Sequence, residues 1–221
     1  MITDKCFENF APLAFPEAKE LVQNGDLILC SGDGLVSGLI KDATKSCFSH
    51  VGMILCMPVT GQWLVVESVE SIGVRCVTLL DGYVNNYQDT QKGYPGKVLI
   101  ARHSEMASNF KYIESLYARA FQLMGDKYSR EDIFKIASRI TLNKIGIHKS
   151  GDIADNNRYI CSEYVYACFK AVKIDMPFDS RGFIAPSDIA RLPEVKPVCQ
   201  LAVSMAGEVR DAKASIIEAV I

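Results

Sequence analysis

The sequence has no excess of charge of one sign. Its 24 Lys and Arg residues stand against 26 Asp and Glu residues, so the formal net charge of the 221-residue chain is −2. No segment carries the dense stripe of basic residues that binding to a phosphate backbone requires. The composition therefore predicts that nucleic acid is not a partner of this protein.

Long apolar runs are also absent from the sequence. No stretch approaches the roughly 18 consecutive apolar residues of a membrane-spanning helix. The first residues include the acids Asp4 and Glu8, where a signal peptide would have a basic end followed by an apolar run. We expect a cytoplasmic protein with no signal peptide and no integral membrane segment.

Linkers, internal repeats and low-complexity tracts are missing as well. Hydrophobic residues make up 49% of the chain and charged residues 23%, which is the balance of an ordinary globular protein. A chain of this length buries enough apolar surface to form a hydrophobic core. We predict a single domain over residues 1–221, with a motif-bearing core at about residues 25–190.

The cysteines form no Cys-x-x-Cys pair, although there are eight of them: 6, 30, 47, 56, 76, 161, 168 and 199. Several lie in apolar strings such as LILC and MILCM. Because free cysteine packs as a small hydrophobe in a reducing compartment, we predict that most of them are reduced core residues. Cys161 is the exception.

Strand patterns dominate the first hundred residues. Short apolar or alternating runs predict strands at 26–31, 50–57, 62–68, 73–79 and 97–102. The strands at 50–57 and 62–68 are separated by PVTG and are predicted to form a hairpin. Residues 36–45 are predicted to hold one or two helical turns.

Helical periodicity follows in the second half of the chain. Apolar residues at steps of three and four predict a helix from Met106 to Met124, with Gly125 as its stop. A second helix is predicted to begin near Ser129 and a third near Cys161, while residues 196–203 return to the sheet and the last residues form a helix. Early strands and late helices indicate an α+β fold.

His50 stands at the mouth of a predicted strand, flanked by small and apolar residues. By itself it is better explained as a structural histidine. It becomes a general base only with a nucleophile in reach and a third group to hold its ring.

Hairpin geometry offers that third group. If the loop PVTG contains two or four residues, paired positions sum to 119, and Glu67 lies opposite Gly52 on the face of His50. Diagonal Cβ atoms are then about 7–8 Å apart, within reach of long side chains. A three-residue loop would instead place Glu70 opposite His50.

Cys161 is the candidate nucleophile. A polar loop ends there and an amphipathic helix begins, so free backbone N–H groups and the helix dipole favour thiolate over thiol. Its backbone N–H could also supply half of an oxyanion hole. Cys168, seven residues further along the same face, is interpreted as a packing residue.

Two other kinds of site are disfavoured. Cys47-x-x-His50 has the spacing of zinc ligands and Cys161 could be a third, but a structural zinc site needs four ligands and usually two local pairs. The glycine-rich SGDGLVSG lacks the Gly-Lys-Ser/Thr ending of a phosphate-binding loop.

Six short motifs follow one another along residues 25–190: GDLILCS, FSHVGMI, WLVVES, MGDKYSREDIF, YICSEYVYACF and APSDIA. This order resembles the YiiX-like members of the NlpC-type superfamily, which are circularly permuted papain-fold cysteine hydrolases. The resemblance implies an α+β fold in which an antiparallel sheet or partial barrel packs against helices. It also implies a His–acid–Cys order that matches His50, Glu67 in preference to Glu70, and Cys161.

The same resemblance implies a cysteine peptidase or amidase that cleaves a small peptide or an amino-acid amide. It would act through a Cys161–His50–Glu67 triad and an acyl-enzyme, with no metal or organic cofactor. Two alternatives stay open. One is a lipid ester hydrolase or acyltransferase, as in the related lecithin:retinol acyltransferase group, and the other is a catalytically idle binding module.

Overall fold

A mixed β-sheet forms the centre of the protein in a computed structural model, which describes residues 2–70, 72–106, 110–128, 159–176 and 183–204. Within these residues the sheet has seven strands in the order β1-β7-β6-β2-β3-β4-β5. The strands are β1 Pro12–Leu13, β2 Asp26–Gly32, β3 His50–Cys56, β4 Trp63–Val69, β5 Gly73–Thr78, β6 Gly96–His103 and β7 Val195–Leu201. Every neighbouring pair is antiparallel except β1 and β7, which are parallel.

All five strands predicted in the first hundred residues are confirmed, as is the return of the chain to the sheet as β7. The sheet is open, with β1 and β5 at its edges, and is not closed into a barrel. The short strand β1 was not predicted, because two residues are too few to show any period.

The sheet is apolar on both faces because both are covered. On β2, Leu27 and Leu29 belong to one core cluster, whereas Ile28 and Cys30 belong to the other. A strand buried on both sides reads as a continuous apolar run, which is how LILC appears in the sequence. The α+β prediction is therefore confirmed in its packing as well as in its elements.

The described helices are α1 Cys6–Asn9, α2 Phe15–Ala18, α3 Leu35–Thr44, α4 Phe110–Gln122, α5 Cys161–Ala171 and α6 Pro186–Ala190. A π-helical turn spans Leu80–Asn85 and a 3₁₀ turn spans Tyr87–Asp89. The helical turns predicted at 36–45 and the helix predicted at Cys161 are confirmed. The helices predicted near Ser129 and at the C-terminus lie outside the described residues.

Helices α4 and α5 cover one face of the sheet, and α5 packs directly on β3 and β4. Buried side chains of α5, including Tyr164, Val165 and Cys168, join the core there. Gly125 follows α4 with φ of +84°, the left-handed conformation that a helix-ending glycine adopts readily. Among the helices that can be described, none combines the length and the apolar character needed to cross a membrane.

Candidate active site

His50 and Glu67 meet on one face of the β3–β4 hairpin. The strands pair Met53 with Val66 and Ile54 with Val65, so paired positions sum to 119 and the register predicted for an even loop is confirmed. His50 Nε2 lies 2.6 Å from Glu67 Oε2. The carboxylate is fully buried, while the imidazole keeps 15% of its side-chain surface exposed.

Gly52 leaves the space that lets these two side chains meet. A Cβ atom built on Gly52 would lie 3.1 Å from the Cβ of Glu67 and 3.1 Å from Cγ2 of Ile28. Both distances are shorter than the 3.5–4.0 Å of an ordinary contact between carbon atoms. Because position 52 has no side chain, Glu67 can pack closely against β3.

Glu67 has two further partners that the sequence reasoning missed. Arg75 lies directly opposite Glu67 on β5 and donates two hydrogen bonds to Oε1, from Nε at 2.9 Å and from Nη2 at 2.7 Å. The hydroxyl of Tyr83, in the π-helical turn, donates to Oε2. The carboxylate, which has no exposed surface, thus receives hydrogen bonds at both oxygens.

These partners set the ionisation of the site. Burial opposes a charged Glu67, yet the hydrogen bond and the charge of His50 lower the pKa of Glu67 below its usual value. The guanidinium of Arg75 and the hydroxyl of Tyr83 act in the same direction. Burial, reinforced by the charge of Glu67, raises the pKa of Tyr83, so its hydroxyl keeps the proton that it donates.

Hydrogen bonds of the two residues before α5 position Cys161, the first residue of that helix. Ser68 Oγ donates to the carbonyl of Tyr159 at 2.6 Å, and the N–H of Tyr159 donates to the carbonyl of Lys127 at 3.1 Å. The N–H of Ile160 donates to Glu163 Oε2 at 3.2 Å, which satisfies one of the free donors of a helix N-terminus. The nucleophile candidate therefore stands where the helix begins, as predicted, and is 3% exposed.

His50 lies between Cys161 and Glu67. Burial would lower the pKa of His50, but the charge and the hydrogen bond of Cys161, followed by those of Glu67, outweigh it and raise that pKa to about 10. Because Nε2 faces Glu67, the ring nitrogen left for Cys161 is Nδ1. The arrangement can hold a thiolate next to an imidazolium.

The remaining sequence candidates lie elsewhere. Glu70 follows the last residue of β4, and the contact at His50 is made by Glu67. Cys47 interacts with Cys6, and its N–H donates to Asp4 Oδ1 at 3.0 Å. All eight cysteines are free thiols, and Cys168 is fully buried, consistent with packing.

The position of Arg75 opposite Glu67 could have been predicted from the register between β4 and β5. The short turn after β4 places β5 so that paired positions sum to 142, and this puts Arg75 opposite Glu67. No comparable signal marks Tyr83, because the π-helical turn that carries it has no recognisable period.

The family model of the permuted papain-like amidase enzymes, YaeF/YiiX, C92 family, matches residues 21–181 of the chain. The match covers most of the sequence and spans both the hairpin that carries His50 and Glu67 and the helix that begins at Cys161. The chain belongs to this family and is a cysteine peptidase or amidase-like hydrolase with a permuted papain-like fold. The predicted resemblance to YiiX-like proteins is confirmed.

Solved structures agree on the fold. The chain is similar to the crystal structure of metalloprotein yiiX from Escherichia coli O157:H7, with a TM-score of 0.58 and 17% sequence identity. The similarity covers 81% of this chain and 98% of that one. No curated protein matches the chain.

A metal site does not fit the side chains that can be described. Within residues 2–70, 72–106, 110–128, 159–176 and 183–204, no group of three or more His, Cys, Asp or Glu side chains could hold a metal ion.

Proposed function

We propose that the protein hydrolyses an amide bond through a Cys161–His50–Glu67 triad. The observation that carries this proposal is the short contact between His50 Nε2 and Glu67 Oε2, 2.6 Å, on an imidazole whose other side faces Cys161. Acyl transfer to a thiol requires a nucleophile, a general base and an acid that orients the base, and we assign these roles to Cys161, His50 and Glu67.

In the first half of the reaction, the thiolate of Cys161 attacks the carbonyl carbon of the amide. The backbone N–H of Cys161 stabilises the oxyanion of the tetrahedral intermediate. The imidazolium of His50 then gives its proton to the leaving amine as the C–N bond breaks. The products are a thioester on Cys161, a free amine and a neutral His50.

In the second half, His50 removes a proton from a water molecule, which attacks the thioester carbonyl. Collapse of the second intermediate breaks the C–S bond and releases a carboxylic acid. Glu67 stays ionised throughout, fixes the tautomer of the imidazole and stabilises the imidazolium each time it forms.

Small peptides and amino-acid amides are the substrate class that we propose. Membership of a family of permuted papain-like amidases supports amide hydrolysis, and a buried carboxylate behind the histidine supports an active rather than an idle site.

The proposal is tested by labelling native protein with iodoacetamide at pH 6 and locating the modified cysteine by peptide mass analysis. Cys161 should react well ahead of the other seven cysteines and lose that advantage in His50→Ala. Cys161→Ala should abolish hydrolysis of aminoacyl p-nitroanilides, whereas Cys168→Ala, on the same helix, should retain it. Cys161 as inert as its neighbours would refute the triad.

A further inference from the structure

The two oxygens of the Glu67 carboxylate face different groups. Oε2 accepts hydrogen bonds from His50 and from Tyr83. Oε1 accepts both hydrogen bonds from Arg75, and the guanidinium carbon of Arg75 lies 5.5 Å from the centre of the Tyr87 ring. Arg75 therefore fixes the carboxylate through the oxygen that His50 does not use.

We infer that Arg75 is a positioning residue of the proposed active site, which keeps Glu67 ionised and aimed at His50 and balances the charge of the reactive pair. This inference rests on the proposed function and adds to it a residue outside the triad.

The net charge of the proposed triad explains why a cation is needed next to Glu67. In the reactive form, the thiolate and the imidazolium cancel, and the carboxylate of Glu67 leaves one negative charge. A buried cluster that carries one net negative charge would favour protonation of one of its acids. The charge of Arg75, whose side chain is only 13% exposed, makes the cluster neutral.

Other titratable groups surround this cluster from the neighbouring strands, turns and helix: Cys30, Cys76, Tyr83, Tyr87, Tyr94, Tyr164, Tyr128, Glu70 and Glu163. Burial raises the pKa of the tyrosines among them and of Cys30 and Cys76, so these groups are neutral near pH 7. Glu70 and Glu163 are acids and so cannot supply a positive charge. Among the groups named, none supplies a cation in place of Arg75.

Loss of this cation must raise the pH at which Cys161 becomes a thiolate, because every nearby acid ionises less readily without it. Charges on the order of 10 Å apart, at an effective dielectric constant of about 20, change one another's pKa by about one unit. Below the midpoint, one unit corresponds to a tenfold change in the rate of alkylation. A residue that only stabilised the fold would not move this midpoint.

The experiment measures the rate at which iodoacetamide modifies Cys161 as a function of pH in intact wild-type protein, Arg75→Gln, Arg75→Lys and the double variant Arg75→Gln/Glu67→Gln. Arg75→Gln should raise the midpoint by about one unit and slow labelling about tenfold at pH values below the wild-type midpoint. Arg75→Lys keeps the charge and should keep the midpoint. The double variant is compared with Glu67→Gln, from which it differs only at position 75.

Arg102→Gln is the matched control. Arg102 also donates two hydrogen bonds to a buried carboxylate, that of Asp26, at 2.7 and 2.8 Å. Asp26 lies four residues, about 13 Å, along β2 from the residue paired with His50. This variant should destabilise the fold without moving the midpoint.

An unchanged midpoint in Arg75→Gln, or an equal shift in Arg102→Gln, would overturn the inference. If Arg75→Gln does not fold, Glu67→Gln and the double variant carry the same test, because they differ only in the charge at position 75. The double variant should then have the higher midpoint by about one unit, and equal midpoints would contradict the inference. Wild-type Cys161 that shows no selective reactivity would instead refute the proposed triad.

Discussion

Gly52→Ala is expected to destabilise the protein and to separate Glu67 from His50. The added methyl group would lie 3.1 Å from the Glu67 Cβ, 3.1 Å from Ile28 Cγ2 and 3.2 Å from the carbonyl oxygen of Val66. Each of these contacts is a few tenths of an ångström shorter than the van der Waals distance. The cost of the substitution therefore depends on whether any of the three neighbours can move.

None of them moves easily. The side chain of Ile28 is fully buried in the core, and the backbone of Val66 is paired within the sheet. Glu67 is held by hydrogen bonds from His50, Arg75 and Tyr83. Overpacking at such a site costs about 1–3 kcal/mol of unfolding free energy, and part of the strain should lengthen the contact between Glu67 and His50.

Urea unfolding measures the first effect, and the rate of iodoacetamide labelling at Cys161 measures the second. Gly38→Ala is the control, because Gly38 lies inside α3 and a Cβ there would meet no atom within 4 Å. Replacing a helical glycine by alanine should add up to about 1 kcal/mol. A Gly52→Ala protein as stable as the wild type, with the same labelling rate, would refute the packing argument.

Two further predictions concern the groups on and beside Glu67. Glu67→Gln should reduce amide hydrolysis less than Cys161→Ala does, because it removes orientation and charge stabilisation of His50 but leaves the nucleophile. Glu70→Gln should leave amide hydrolysis nearly unchanged. A larger loss of activity in Glu70→Gln than in Glu67→Gln would reject Glu67 as the acid of the triad. Ser68→Ala removes the hydrogen bond from the buried Ser68 hydroxyl to the carbonyl of Tyr159 and should lower the unfolding free energy, measured in urea, by about 1–3 kcal/mol. A loss within experimental error would show that this bond does not anchor the segment before Cys161.

The strands were predictable from sequence because their signals are local. Turn residues bound each apolar run, and the hairpin register follows from the length of one loop, so the sequence alone predicts that Glu67 lies near His50. The start of α5 was equally accessible, since a polar loop gives way to helical periodicity at Cys161. These predictions needed no information about contacts between distant parts of the chain.

The features that could not be predicted from the sequence depend on contacts between distant parts of the chain. Tyr159, two residues before Cys161, is held by hydrogen bonds to Ser68 and Lys127, and both of these residues are far from it along the chain. Tyr83 reaches Glu67 from a π-helical turn that has no sequence signature. The N-terminal strand β1 is defined only by its pairing with β7, almost two hundred residues later.

The burial of Glu67 is a property that the sequence does not reveal, and the residues that were missed depend on it. In the sequence, Glu67 is an acid at the end of a strand, and such an acid is usually exposed to solvent. Once its side chain is known to have no exposed surface, its charge requires cations or donors nearby, and a search for them leads directly to Arg75 and Tyr83. Arg75 then follows from the same arithmetic that placed Glu67, carried one strand further across the sheet. The proposed reactive pair of Cys161 and His50 is therefore supported by a residue whose importance becomes visible only when a charge is known to be buried.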